Sequence, residues 1–255
     1  MLPEGNQELL AGLKARCSAW PQRLRTVSSV ERRWHAAWCN AGIEGNPLSW
    51  SKARSFLESE EEAKDLPHNE LQGCRLALDF LEDGMDLRMG ELRHLHQLIS
   101  RGQGKSGEFR NHPVEIVRES GPGAGEAVFR PPHHSRVPAL MEDLLEQSRR
   151  QAEEGMNPFV LAGLFHYEFQ SIHPFSDGNG RVGRILTTFL ARQGWDSEDF
   201  YLAPALRKAG SAYYLALRSV RRDYEEEAGI QSWLEPFLGF CMQALDDEVL
   251  PGAWP

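Results

Sequence analysis

Residues 157–190 constrain this chain more than any other stretch. Asn157-Pro158 supplies an N-cap and a first-turn proline. Val160, Leu161, Leu164, Phe165, Phe169 and Ile172 then recur at helical spacing. Pro174 stops that helix. A second helix follows at once, with Val182, Ile185, Leu186, Phe189 and Leu190 on one face and Gly194 at its end. Two apolar helices joined by a short polar loop are expected to form the hydrophobic centre of the domain. Further helices are expected over about 5–16, 29–42, 49–62, 68–83, 89–100, 135–154, 203–209, 211–227 and 230–248. Residues 101–132 differ, being rich in Gly and Pro. Within them Val114-Glu115-Ile116-Val117 and Ala127-Val128-Phe129 read as strands around a turn from Ser120 to Gly125. The fold class expected is mainly all-α, with one β-hairpin leaning on the helices, since two strands alone are marginally stable.

Charge removes several function classes. The 255 residues carry a net charge of −9, whereas a nucleic-acid binder needs a basic surface to meet phosphates. No run of about 18 apolar residues suggests a membrane span. Met1 to Gln7 lacks the basic start and apolar run of a signal peptide. Cys17, Cys39, Cys74 and Cys241 form no CxxC pair, so a reducing, cytoplasmic setting is expected. Glu60-Glu61-Glu62 reads as a solvated helix face. His94, His96, His133 and His134 show no metal-ligand pattern and receive no chemistry.

Two stretches fit the bare GxGxxG pattern. Gly102 to Gly107 contains Gly104-Lys105-Ser106, but Ile99 stands where a phosphate loop needs glycine; a flexible connector is expected there. Gly178 to Gly183 follows no strand, which rejects a dinucleotide fold. Its small residues still allow backbone N–H groups to curl into an anion nest. The helix that follows aims its unpaired N–H groups at the same spot. Arg181 and Arg184 are three apart, so both can point at one polyphosphate. His173 hangs over the loop after a helix end. Asp177 offers a hard oxygen to Mg²⁺, which binds one or two carboxylates plus phosphates. A base, a metal carboxylate, a nest and two arginines are the parts of phosphoryl or nucleotidyl transfer.

His173-Pro174-Phe175-Ser176-Asp177-Gly178-Asn179-Gly180-Arg181-Val182-Gly183-Arg184 resembles the Fic family signature, HxFx(D/E)GNGRxxR, at every fixed position. Ile43-Glu44-Gly45-Asn46 resembles the family's inhibitory motif (S/T)xxxE(G/N), with Asn40 where the family has Ser or Thr. Gly107-Glu108-Phe109-Arg110, the two strands and Arg130-Pro131-Pro132 resemble the family's target-docking flap. Ala212-Tyr213-Tyr214-Leu215-Ala216-Leu217 resembles its YYxAL segment near the adenine, with Gly210 where a basic residue is frequent.

The resemblance implies a helical core carrying a hairpin flap over 107–132. Residues 1–66 would hold N-terminal helices including the inhibitory one, and 67–255 the catalytic core. It implies transfer of AMP from ATP to a Ser, Thr or Tyr hydroxyl of a target protein. His173 would be the base and Asp177 the Mg²⁺ ligand. Gly178, Asn179, Gly180, Arg181, Arg184, Tyr213 and Tyr214 would bind nucleotide. Val114, Glu115 and Ile116 would dock the target as an added strand, and Glu44 would inhibit by pairing with Arg184. Autoinhibited relatives often dimerise, so a homodimer is a possibility. No further DNA-binding domain is expected. Two alternatives stay open: a variant activity on the same site, such as removal of AMP or transfer of another phosphate-containing group, or a non-catalytic peptide-binding module.

Overall fold

The computed structural model describes residues 4–23, 28–59, 61–82, 84, 86–101, 106–119, 125–193, 200–226 and 229–246. The turn at 120–125, the connector at 102–107, the stop at Gly194 and the start of the acidic run at Glu60 lie wholly or partly outside them. The element order is α1 (Glu4–Arg23), α2 (Ser29–Ile43), α3 (Trp50–Ser59), α4 (Leu66–Glu82), α5 (Met89–Ile99), β1 (Ile116–Glu119) and β2 (Gly125–Phe129). A 3-10 turn (His134–Arg136) leads into α6 (Val137–Glu153), α7 (Pro158–Ile172), α8 (Asn179–Ala191), α9 (Ala203–Ala209), α10 (Ser211–Arg218) and α11 (Gln231–Asp246).

The helix pair expected at the centre is there. Asn157 Oδ1 accepts from the N–H groups of Phe159 and Val160 and starts α7. Eleven of the fifteen α7 residues are buried, as a helix apolar on most faces requires. It packs against α8, α6 and α11. The second helix, α8, buries Val182, Ile185, Leu186 and Leu190 against it.

The segment expected to inhibit is built into this body. Ser28 caps α2 by accepting from Glu31 N, and α2 buries His35 through Asn40 and Ala41 against α4 and α9. Arg207 on α9 lies 3.6 Å over the Trp38 ring and donates to Trp38 O. The helix ends in a Schellman cap, with Asn46 N donating to Ala41 O and Gly45 N to Gly42 O. Gly45 takes φ +88 there, which a residue with a Cβ resists. Glu44, the C-cap residue, is thereby fixed at the helix end with its side chain free to leave the axis.

Three expectations need correction. The helix expected over 49–62 ends at Ser59, so Glu61 and Glu62 are exposed but belong to no helix face. The strands begin elsewhere than the sequence suggests: β1 starts at Ile116, so Val114 and Glu115 precede it, and β2 starts at Gly125. The pair is antiparallel, with Ile116 opposite Phe129 and an irregularity between Ile116 and Val117. The helix expected over 211–227 stops at Arg218. Arg130 N donates to Arg222 O and Tyr224 N to Arg130 O, both at 3.0 Å. These tertiary bonds pull 219–224 out of helix to strap the end of β2, and Tyr224 is anchored to Glu168 on α7.

Two buried histidines make the fold acid-sensitive. His166 is fully buried between Thr187 Oγ1 at 2.7 Å and Tyr213 OH at 2.8 Å. Burial pushes its pKa down to about 3, and pushes that of His35, packed among Trp38 and Trp50, down to about 4. The unfolded chain takes up these protons below about pH 6.5 while the folded chain does not. Stability is therefore whole above pH 6.5 and falls as pH drops towards 4, by about 1.4 kcal/mol per unit for each histidine. The thermal midpoint is expected to decline steadily across that window; a flat profile there would contradict it.

Candidate active site

The site forms where the end of α7, the start of α8 and the end of α2 meet. His173 caps α7 in a left-handed conformation, φ 51, and is the one non-glycine residue with positive φ among the described residues. Its Nδ1 lies 3.3 Å from Gln170 O, which makes Nδ1 the protonated nitrogen and leaves the Nε2 lone pair free. Burial pulls its pKa down to about 4. The imidazole is therefore neutral throughout the physiological range.

The loop after it is closed by Asn179. Its Oδ1 accepts from Phe175 N and its Nδ2 donates to Phe175 O, both at 2.8 Å. The Asn179 side chain is thus occupied with loop geometry, and what it offers a ligand is backbone. Gly178 precedes α8 with no side-chain cap, so the first N–H groups of α8 have no intrahelical acceptor.

The two arginines diverge, contrary to the expectation that both point at one anion. Arg181 is 2% exposed and turns to Asp177 Oδ2 at 2.9 Å and Glu70 Oε1 at 3.4 Å. Arg184 is 1% exposed and faces Glu44 Oε1 at 2.8 Å, with Asn40 Oδ1 accepting from its Nε at 2.6 Å and Asn40 O from its NH2 at 3.1 Å. Burial disfavours the Arg184 charge, yet the Glu44 carboxylate overrides this and holds its pKa above the ordinary value. Glu44 reaches further than its partner: a Cβ on Gly180 would lie 2.2 Å from Glu44 Oε1. The carboxylate lies on the backbone at the first turn of α8, where the helix end favours an anion.

Of these residues, Glu44, His173, Gly180 and Arg184 line one cleft of about 230 Å³ with Tyr213, Tyr214 and Ile116, whereas Asp177, Gly178, Asn179 and Arg181 do not line it. Its volume is below the roughly 300 Å³ at which small-molecule sites usually begin, and the Glu44 side chain projects into it.

Residues 86–191 match the model of the Fic/DOC family. The chain carries a Fic domain. Protein adenylyltransferase Fic of Drosophila ananassae is 30% identical over 164 residues, which is 60% of this chain and 31% of that protein. The chain thus spans about a third of the length of the curated relatives it matches. A Fic family protein from Desulfovibrio desulfuricans superposes with a TM-score of 0.80 at 26% identity, over 96% of this chain and 74% of that one. A Fic domain containing signaling protein from Bacteroides thetaiotaomicron gives 0.72 at 21% identity, over 92% and 95%, and shares the fold.

Beyond the matched residues, Tyr213 is buried and its O–H donates to His166 Nε2. The direction follows because Thr187 Oγ1 donates to Gly183 O at 2.6 Å and so accepts from His166 Nδ1. Tyr214 is half-buried and donates to Ile43 O at 3.1 Å, tying the wall of the cleft to the end of α2. Of the three flap residues, Ile116 lines the cleft, Glu115 pairs with Arg130 at 3.5 Å and Val114 is half-buried.

Glu70 and His96 beside the site were given no role by the sequence reading, and Asn40 was noted only as a departure from the inhibitory motif. Asn40 holds Arg184 by side chain and backbone. Glu70 holds Arg181 and accepts from Asn46 Nδ2 at 2.8 Å. His96 stacks on Phe175 at 3.7 Å, accepts from Gly107 N at 2.8 Å and contacts Asp177 O at 3.1 Å. For Asn40 a signal existed, its four-residue spacing from Glu44. Glu70 and His96 are visible only once α4 and α5 are packed.

Proposed function

We propose that the chain is a protein adenylyltransferase that moves AMP from ATP to a Ser, Thr or Tyr hydroxyl of a target protein, and that Glu44 holds this activity back. One observation carries the reading. The Glu44 carboxylate lies on the Gly180 backbone and pairs with Arg184 at 2.8 Å, so it takes the place of an anion at the helix end where phosphates bind. With Glu44 removed, the same donors face the phosphates of ATP: the N–H groups at the start of α8, and Arg184 for the γ-phosphate.

His173 accepts the proton of the target hydroxyl on Nε2 as that oxygen attacks the α-phosphorus, and pyrophosphate departs. With its pKa near 4 the imidazole is unprotonated at neutral pH, and the same depression makes it a weaker base than an ordinary histidine. Tyr213 and Tyr214 form the wall against which the adenine packs. Ile116 and the edge of β1 receive the target as an added strand.

The donor set fits Mg²⁺. Asp177 has 66% of its side chain exposed beside the nest, and no group of three metal-binding side chains exists among the described residues. A single carboxylate completed by phosphate oxygens is how Mg²⁺ is usually bound. When bound it would neutralise phosphate charge. Asp177→Ala is expected to lower label incorporation from ATP by about 100-fold, within the range for loss of one charge-stabilising group, and to abolish its response to Mg²⁺. Activity and Mg²⁺ response both unchanged in a Mg²⁺ titration would overturn the assignment. Among the described residues no helix is long and apolar enough to cross a membrane.

A further inference from the structure

Arg110 is 3% exposed, and its guanidinium bonds to carbonyl oxygens in place of a carboxylate. Its Nε donates to His173 O at 2.8 Å. Its NH2 donates to Pro132 O at 2.5 Å and Ile172 O at 3.3 Å, and its NH1 to His112 O at 3.2 Å. Its backbone N donates to Pro174 O at 2.9 Å. The acceptors fall into two groups. Ile172, His173 and Pro174 form the end of α7 and the start of the loop. His112 and Pro132 are the two roots of the hairpin, before β1 and after β2.

Carbonyls at a helix C-terminus have no intrahelical donor and carry the negative end of the helix dipole. A planar guanidinium presents five N–H donors in a fixed, spread fork and can reach several of them at once, whereas an ammonium offers three from a single point. The demand is greatest at His173, whose left-handed backbone is disfavoured for a residue with a Cβ. Such a conformation persists only where its surroundings over-determine it. Burial without a counter-carboxylate lowers the Arg110 pKa, a disadvantage with no compensation unless the carbonyls are the purpose.

We propose that Arg110 is a positioning residue, which holds His173 in its left-handed conformation and fastens both roots of the hairpin to the same point. The base and the strand that presents the target are then aligned by one side chain. This rests on the reading of His173 as the base.

The test uses Arg110→Lys and Arg110→Ala, each combined with Glu44→Gly. Four quantities are read: self-labelling from α-labelled ATP with Mg²⁺, the Kd for Mg·ATP, rescue of the alanine variant by guanidinium ion, and histidine side-chain NMR. The His173 ring resonance is assigned by its loss in His173→Asn. Arg110→Lys is expected to lower turnover about 100-fold, the scale of an ångström-sized misplacement, with Kd unchanged. The His173 resonance shifts while those of His35 and His166 stay in place, and guanidinium restores part of the turnover of Arg110→Ala. Unchanged turnover with an unmoved His173 resonance would overturn the proposal. So would loss of turnover and ATP binding together with displaced His35 and His166 resonances, which signals general unfolding. If the Glu44→Gly parent transfers no label, AMP transfer fails as the function. The His173 resonance then decides on Arg110 by itself, a shift supporting its role and an unmoved signal refuting it.

Discussion

Glu44→Gly is expected to raise AMP incorporation from ATP by about 100-fold over wild type, the effect of correcting a phosphate misplaced by roughly 1 Å. Glu44 lies 2.8 Å from Arg184 NH2, and in the proposed reading it would compete with the γ-phosphate for that guanidinium. A carboxylate at Gly180 also repels the anion that would lie there. Some stability should be lost, because the buried Arg184 loses its counter-charge, but Asn40 still accepts from it twice, and Glu44 is a partly exposed C-cap residue. The measurement is the initial rate of label transfer from α-labelled ATP, compared between the two proteins. Equal rates would remove autoinhibition from the account. Were the reaction instead the removal of AMP from a modified protein, the response would have the opposite sign, because there the glutamate would align a water. A fall in that reaction on Glu44→Gly, with no gain in transfer, would move the assignment to hydrolysis.

His173→Ala in the Glu44→Gly background is expected to reduce transfer by about 1,000-fold, in the middle of the range for losing a positioned general base. ATP binding should persist, because the phosphate donors belong to α8 and the imidazole is not among them. Alanine at φ 51 is disfavoured, so His173→Asn serves as a second variant that tolerates the left-handed region. Both should bind Mg·ATP with the parent's affinity in a calorimetric titration while failing to transfer. Transfer at the parent's rate by either would rule out His173 as the base.

Much of this site was legible because it is contiguous. His173 to Arg184 spans a helix end, a loop and a helix start, and local rules govern all three: Asn157 and Pro158 begin α7, Pro174 follows its end, and glycines allow the turn into α8. The end of α2 was legible for the same reason, since Gly45 stops a helix whose last side chain is Glu44. What the sequence hid depends on packing between distant segments. Arg181 turned to Glu70 on α4, and Arg184 to Asn40 on α2, partners more than 100 residues away. The depressed pKa of His173 comes from burial, which no local pattern reports. The helix read through 227 is a conflict between levels. Residues 219–226 favour helix locally, but bonds to Arg130 and Glu168 draw them into a strap. β1 lies two residues later than read, and β2 starts two residues earlier but ends at Phe129 as read; in a two-stranded ribbon little fixes the boundaries.

The central claim is transfer of AMP with the glutamate as brake, and one measurement addresses it directly. The Glu44→Gly protein is incubated with Mg²⁺ and ATP carrying its label on either the α- or the γ-phosphorus, and protein-bound label is counted. The account predicts label on protein from the α position and none from the γ position, at a rate well above wild type. Label from the γ position, or none from either, would contradict it.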